Sequence, residues 1–216
     1  HQDFGGNERR AANHPLASAA PRYSLAPSRA CAQSRPPAVP FGALSPMLAW
    51  PKARRPKVAK SLKPGDPAPP FDLPTAGGGQ VSLAGLKGKR VVLYFYPKDD
   101  TPGCTREALN FTEKAKQFAS AKTTVVGVSR DTVAKHDKFA AKYGLNVILA
   151  ADVEGECCNA FGVWVEKSLY GRTYMGVERA TFLIDGKGRI SHIWRKVKVP
   201  GHVEDVLEMV KAKAEK

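Results

Sequence analysis

The chain has 216 residues, with 34 Lys or Arg against 20 Asp or Glu and a formal net charge of +14 at pH 7. That length suits one domain of ordinary size plus an extension, and no apolar run approaches the ~20 residues a membrane-spanning helix needs. The four cysteines, Cys31, Cys104, Cys157 and Cys158, form no C-x-x-C pair, which argues against a dithiol motif, a zinc ribbon and a secreted disulfide framework.

Residues 1–60 hold ten of the basic residues but only Asp3 and Glu8 as acids, so more than half of the positive balance sits in the first quarter of the chain. This stretch is rich in Ala, Ser, Pro and Arg and lacks periodicity, a composition that argues against a packed core. It reads as a disordered N-terminal extension with the acid-poor, Arg- and Ser-bearing character of a transit peptide to a chloroplast or mitochondrion. The run Pro51-Lys-Ala-Arg-Arg-Pro-Lys-Val-Ala-Lys60 also matches a nuclear localisation signal, the alternative destination. No nucleic-acid readout motif accompanies the charge, so neither a nucleic-acid nor a membrane partner is expected.

Residues 61–216 make the globular part. Lys63-Pro-Gly-Asp-Pro-Ala-Pro-Pro-Phe71 is an extended entry segment, and Phe71-Asp-Leu73 and Gln80–Leu83 are short strands around a Gly77-Gly-Gly79 turn. Val91 to Tyr96 is a continuous β-branched, aromatic and aliphatic run, which suits a strand buried on both faces. The spacing of Ala108, Phe111, Ala115, Phe118 and Ala119 predicts a helix from Gly103 to about Ser120. Thr123–Ser129 is another buried strand; Asp131-Thr132 caps a helix carrying Val133, Phe139 and Tyr143 that Gly144 ends. Val147–Ala150 reads as a short strand, Asp152–Phe161 as a short helix, and Val163–Met175 as irregular. Thr181–Asp185 and Ile190–Trp194 flank Gly186-Lys-Gly188 as a hairpin, and Val203, Val206, Leu207 and Val210 form a closing amphipathic helix. Alternating strands and helices followed by a hairpin and a helix predict an α/β three-layer sandwich with a central mixed β-sheet.

The chemistry is expected just after the first long strand. Pro97 cannot donate to a ladder, so the strand stops there. Thr101 is a good N-cap, Pro102 fits the first helical position, and Gly103 allows close backbone approach. Cys104 then falls in the first turn of a helix, where free N–H groups and the helix dipole favour a thiolate. Pro97 can shield that thiolate from bulk water, and the Thr101 hydroxyl is offered to it or to a substrate oxygen. Arg179, just before the strand Thr181–Asp185, is the candidate cation, with Arg106 a weaker one. Buried free cysteines are often inert, but the position after Thr-Pro-Gly favours reactivity.

On these residues the sequence resembles the peroxiredoxins, specifically the peroxiredoxin Q or bacterioferritin comigratory protein group. Tyr96-Pro-Lys-Asp-Asp-Thr-Pro-Gly-Cys-Thr-Arg-Glu107 is similar to that group's peroxidatic motif, and Lys63-Pro-Gly-Asp-Pro-Ala-Pro, Val128-Ser, Phe161-Gly-Val-Trp164 and Arg179-x-Thr-Phe-Leu-Ile-Asp185 extend the likeness from about Leu62 to the C-terminus. The resemblance implies a thioredoxin-like fold, no metal or organic cofactor, and thiol-dependent reduction of hydrogen peroxide and organic hydroperoxides in antioxidant defence. By position it makes Cys104 the peroxidatic cysteine, Thr101 and Pro97 the shapers of its pocket, and Arg179 the activating arginine. Many members carry a resolving cysteine five residues after the peroxidatic one; here that position is Leu109. The expectation is therefore a monomeric one-cysteine enzyme whose sulfenic acid is reduced by an external thiol such as thioredoxin, glutaredoxin or glutathione, with Cys157 and Cys158 left open as internal partners. The alternative is a peroxide sensor or redox relay that passes oxidation to a partner protein.

Overall fold

The computed structural model describes residues 61–169 and 171–213; the extension expected over residues 1–60 lies outside them. In chain order the elements are β1 (Asp72–Pro74), β2 (Gln80–Ser82), β3 (Arg90–Phe95), α1 (Pro102–Ser120), β4 (Thr123–Ser129), α2 (Val133–Tyr143), β5 (Ile148–Ala151), α3 (Glu156–Ala160), β6 (Trp164–Leu169), β7 (Arg172–Val177), β8 (Ala180–Ile184), β9 (Ile190–Trp194) and α4 (His202–Ala212). The central sheet has the order β5-β4-β3-β8-β9. β3–β4 and β4–β5 are parallel, whereas β3–β8 and β8–β9 are antiparallel, so the sheet is mixed, as expected.

Strand β3 runs through the middle, and its unbroken apolar composition follows from that place. Successive side chains point to opposite faces. Val91, Leu93 and Phe95 enter one core cluster with Phe71, Phe161, Phe182 and Ile184. Val92, Tyr94 and the following Tyr96 enter the other, with Phe111, Phe118, Phe139, Val203 and Val206. Helices α1, α2 and α4 supply the second cluster, whereas the β1–β2 hairpin and α3 supply the first. This is the three-layer arrangement. Burying each such large apolar side chain is worth roughly 1.5–3 kcal/mol.

Two expectations change on contact with the structure. The segment Val163–Met175 is not irregular: Trp164–Leu169 and Arg172–Val177 form an antiparallel two-stranded ribbon. It stands apart from the central sheet, and most of its side chains are partly or fully exposed, so no buried face imposes the alternation that would reveal it in sequence. On α1, Ala119 is exposed and Glu107 is fully buried, so the inward face carries a carboxylate that the apolar stripe did not include.

Candidate active site

The local chain builds the site in a few residues. Tyr96 N–H still bonds the Val128 carbonyl at 3.1 Å, and Pro97, with no N–H, ends the ladder. Asp100 then turns the chain at a φ of 57°, a left-handed conformation that Asp tolerates better than most residues, and its carboxylate accepts from Lys142 Nζ at 2.8 Å. Thr101 is extended, Pro102 opens α1, and Thr105 N–H makes the bond to the Thr101 carbonyl at 2.8 Å.

Cys104 sits in that first turn with 2% of its surface exposed. Arg179 reaches it from the short link between β7 and β8, with Nη2 3.3 Å from Sγ. The antiparallel pairing of Phe95 with Ala180 brings Arg179 beside the end of β3, and hence beside the helix that follows. Nη1 of the same guanidinium is ion-paired with Oε2 of the buried Glu107. Glu107 is three residues beyond Cys104, on the same helix face. Gly103 makes room: a Cβ there would lie 3.3 Å from Arg179 Nη2.

One cation thus serves two acceptors, Sγ and a carboxylate, in the charge-assisted geometry that is strongest where water is excluded. Burial pushes Glu107 up to about 7, against the opposing pull of Arg179. For Arg179, burial works to lower the pKa, but the charges of Glu107 and Cys104 hold it above its ordinary value. Lys167 of β6 donates to the Val177 carbonyl at 2.6 Å; burial and then the nearby Arg179 charge lower its pKa. Tyr94 is raised well above the usual phenol value, first by burial and then by Glu107 and Cys104, so it lines the site as a neutral group.

Cys104 and Arg179 are therefore brought together. Pro97 is exposed and lines a cavity of about 330 Å³ with Arg130, Trp164, Lys167 and Val177. Thr101 stands at the N-cap position as expected, but its side chain makes no capping hydrogen bond and its hydroxyl donates to the Lys98 carbonyl at 3.1 Å. A carbonyl three residues back competes for the single hydroxyl proton and leaves only lone pairs to offer a substrate. Arg106 is exposed, two residues and so about 200° around the helix from Cys104. Cys157 and Cys158 are buried in the core cluster on the other face of the sheet from Cys104. Burial, with Asp152 adding to it, raises the pKa of both thiols. Glu107, Lys167 and Tyr94 received no role from sequence. The signal for Glu107 was present, since a carboxylate within an apolar helix stripe has to find a partner.

Comparison with known proteins decides the family. The model of the AhpC/TSA family matches residues 64–193. The putative peroxiredoxin bcp of Coxiella burnetii is 50% identical over 147 residues, which is 68% of this chain and 97% of the relative. The chain belongs to the AhpC/TSA family, among the Bcp peroxiredoxins. Peroxiredoxin Bcp of Bacillus subtilis is 46% identical over 156 residues, covering 72% of this chain and 99% of that protein. Among solved structures, PrxQ of Xylella fastidiosa, as a Cys-to-Ser mutant, superposes with a TM-score of 0.68 at 42% identity, covering 72% of this chain and 99% of its own. The Xanthomonas campestris bacterioferritin comigratory protein, described for its alkyl peroxide reduction activity, gives 0.64 at 44% identity, covering 67% of this chain and 92% of that one. The fold of this AhpC/TSA chain is thioredoxin-like and peroxiredoxin in type, as expected.

The relatives overturn one expectation. The chloroplast or mitochondrial destination, with the nucleus as alternative, does not stand, because the Bcp proteins this chain matches are bacterial and come from cells without those compartments. The basic, acid-poor composition that suggested an address is shared by any solvated basic tail.

Proposed function

We propose that this chain is a thiol-dependent peroxidase of the one-cysteine type, acting on hydrogen peroxide and organic hydroperoxides. The observation that carries the reading is the Arg179 guanidinium shared between Cys104 Sγ, at 3.3 Å, and Glu107 at the start of α1. The cation lies against Sγ and faces the place where charge develops on a peroxide oxygen. The sulfur attacks one oxygen of R–O–O–H, the O–O bond breaks, and the departing alkoxide takes a proton to leave as the alcohol. Cys104 is then the sulfenic acid. Pro97 and the lone pairs of Thr101 shape the approach, and the uncapped N–H groups of the first turn lie beside it.

Return to the thiol draws on an external donor. Leu109 stands where many relatives of the resembled group carry a resolving cysteine, and Cys157 and Cys158 lie across the sheet. An external thiol forms a mixed disulfide with release of water, and a second thiol releases reduced Cys104. Thioredoxin, glutaredoxin and glutathione are the candidate donors, and a monomer suffices because one chain holds all the named groups.

The test is intact mass after one equivalent of hydrogen peroxide, beside Cys157→Ser/Cys158→Ser. A gain of one oxygen that persists in the double variant and disappears in Cys104→Ser supports one-cysteine chemistry. A loss of two hydrogens that vanishes in the double variant assigns an internal resolving thiol instead. Cys104 left reduced in every protein rejects the peroxidase.

A further inference from the structure

The loop between β3 and α1 is held from beneath by a buried polar cluster that the peroxidase chemistry does not use. Asp99, 7% exposed, sits in that loop between Pro97 and Thr101. Its Oδ2 lies 2.7 Å from Nδ1 of the fully buried His136 of α2, and its Oδ1 accepts from the Tyr96 hydroxyl at 2.8 Å. Its backbone N–H donates to Asp131 Oδ2 at 2.8 Å, and Asp131 Oδ2 also accepts from Ser129 Oγ at 3.1 Å. Facing a carboxylate oxygen, His136 Nδ1 carries the proton. One residue before Asp99, the Lys98 carbonyl receives the Thr101 hydroxyl at 3.1 Å.

These contacts form one mechanical chain. α2 holds Asp99 through His136, and Asp99 fixes the peptide beside Lys98. The Lys98 carbonyl then sets the direction of the Thr101 hydroxyl at the entrance to the Cys104 helix turn. Nothing in this chain touches Sγ. A hydrogen-bonded ionisable pair in a buried place costs desolvation that an apolar pair of equal volume avoids, so packing alone gives no reason for it. Its partners converge on the one loop whose geometry the reaction depends upon.

We propose that His136 is a positioning residue for the peroxidase reaction, acting through Asp99 to hold Pro97–Thr101 in the conformation that presents a hydroperoxide to Cys104. The role rests on the peroxidase reading above. A hydroperoxide must meet Sγ in line with its O–O bond while the helix turn and Arg179 receive the developing charge, and displacement by about 1 Å costs on the order of a hundredfold in such reactions. A small alkylating agent such as iodoacetamide needs only the thiolate and a path to it. The two reagents therefore separate a misplaced loop from a damaged thiol.

The experiment compares, at one pH, the rate of Cys104 oxidation by hydrogen peroxide with its rate of alkylation by iodoacetamide. The proteins are the wild type, His136→Leu, His136→Asn and, as a control in the same helix, Phe139→Leu. His136→Leu should slow oxidation about tenfold or more while alkylation holds or rises. His136→Asn, whose amide can still donate to Asp99, should stay within about threefold of the wild type in both. Phe139→Leu should leave the ratio of the two rates unchanged. If His136→Leu does not fold, Asp99→Ala carries the same test: it removes the acceptor of His136 and leaves no buried carboxylate unpaired, and the same lowered ratio is expected. An unchanged ratio in the loop or His136 variants, or an equal fall in Phe139→Leu, overturns the positioning role. A wild-type chain that alkylates at Cys104 but never oxidises there overturns the peroxidase reading and the role together.

Discussion

Arg179 Nη2 lies 3.3 Å from Cys104 Sγ across 75 positions of sequence, and the antiparallel register of β3 with β8 brings the two together. The other arm of the guanidinium holds Glu107, so its orientation depends on both partners. Arg179→Lys keeps a positive charge but not a planar fork able to serve two acceptors. A charge-assisted hydrogen bond is worth about 1.5–3 kcal/mol, so the rate of Cys104 oxidation by peroxide should fall about 10- to 100-fold. Stopped-flow oxidation of the two proteins measures it; an unchanged rate would remove Arg179 from the mechanism.

Two buried groups tilt stability against pH in opposite directions. Burial raises Glu107 to about 7 from 4.5, so the folded chain binds its proton more tightly than the unfolded chain does. Its contribution is greatest below about 4.5 and falls as pH rises through about 7. Burial lowers His202 to about 4 from 6.5; its contribution is complete above about 6.5 and is lost as pH falls through about 4. Between these limits the slopes offset each other. Glu107→Gln should therefore uncover stability that climbs from pH ~4.5 to ~6.5, and His202→Gln stability that declines from ~4.5 to ~7, each by about 1–3 kcal/mol. Urea unfolding midpoints across that range decide it, and parallel curves for all three proteins would contradict the assignment.

Gly127 on β4 pairs with Tyr94 on β3, and a Cβ at Gly127 would fall 2.5 Å from the Tyr94 hydroxyl oxygen. The ring is stacked on Phe111 at 4.6 Å and cannot retreat freely. Gly127→Ala should cost about 1–3 kcal/mol through overpacking, read from thermal or urea unfolding. It should also disturb Cys104, since Tyr94 lines the same cluster.

Native alkylation should separate the cysteines. Cys157 and Cys158 have pKa values raised by burial and Asp152, whereas Cys104 has Arg179 beside it. Because the thiolate is the nucleophile, Cys104 should be labelled before Cys157 and Cys158 at neutral pH. Peptide mass mapping after brief iodoacetamide treatment gives the order, and equal labelling would mean that the first turn of α1 confers no advantage.

Much of the molecule was legible along the chain because its signals are local. The apolar run Val91–Tyr96 announced a strand, Pro97 its end, Pro102 a helix start and Gly144 a helix end, since each residue restricts its own backbone. The motif around Cys104 marked the candidate nucleophile, and Arg179, with Arg106 as the weaker choice, was named as its cation. The ribbon of β6 and β7 stayed hidden because most of its side chains are exposed, and the Lys98 carbonyl was not legible as a partner of the Thr101 hydroxyl because the two meet only in the folded loop.

By itself, then, the sequence determined the order and kind of most elements and put Cys104 in the first turn of a helix, all consequences of short-range backbone preference and periodicity. The tertiary structure alone decided what surrounds that sulfur. It buried Glu107 against Arg179, set Cys157 and Cys158 on the far face of the sheet, and placed His136 under the reactive loop. Strand register and helix packing create these neighbours, and both are properties of the assembled sheet rather than of any segment within it.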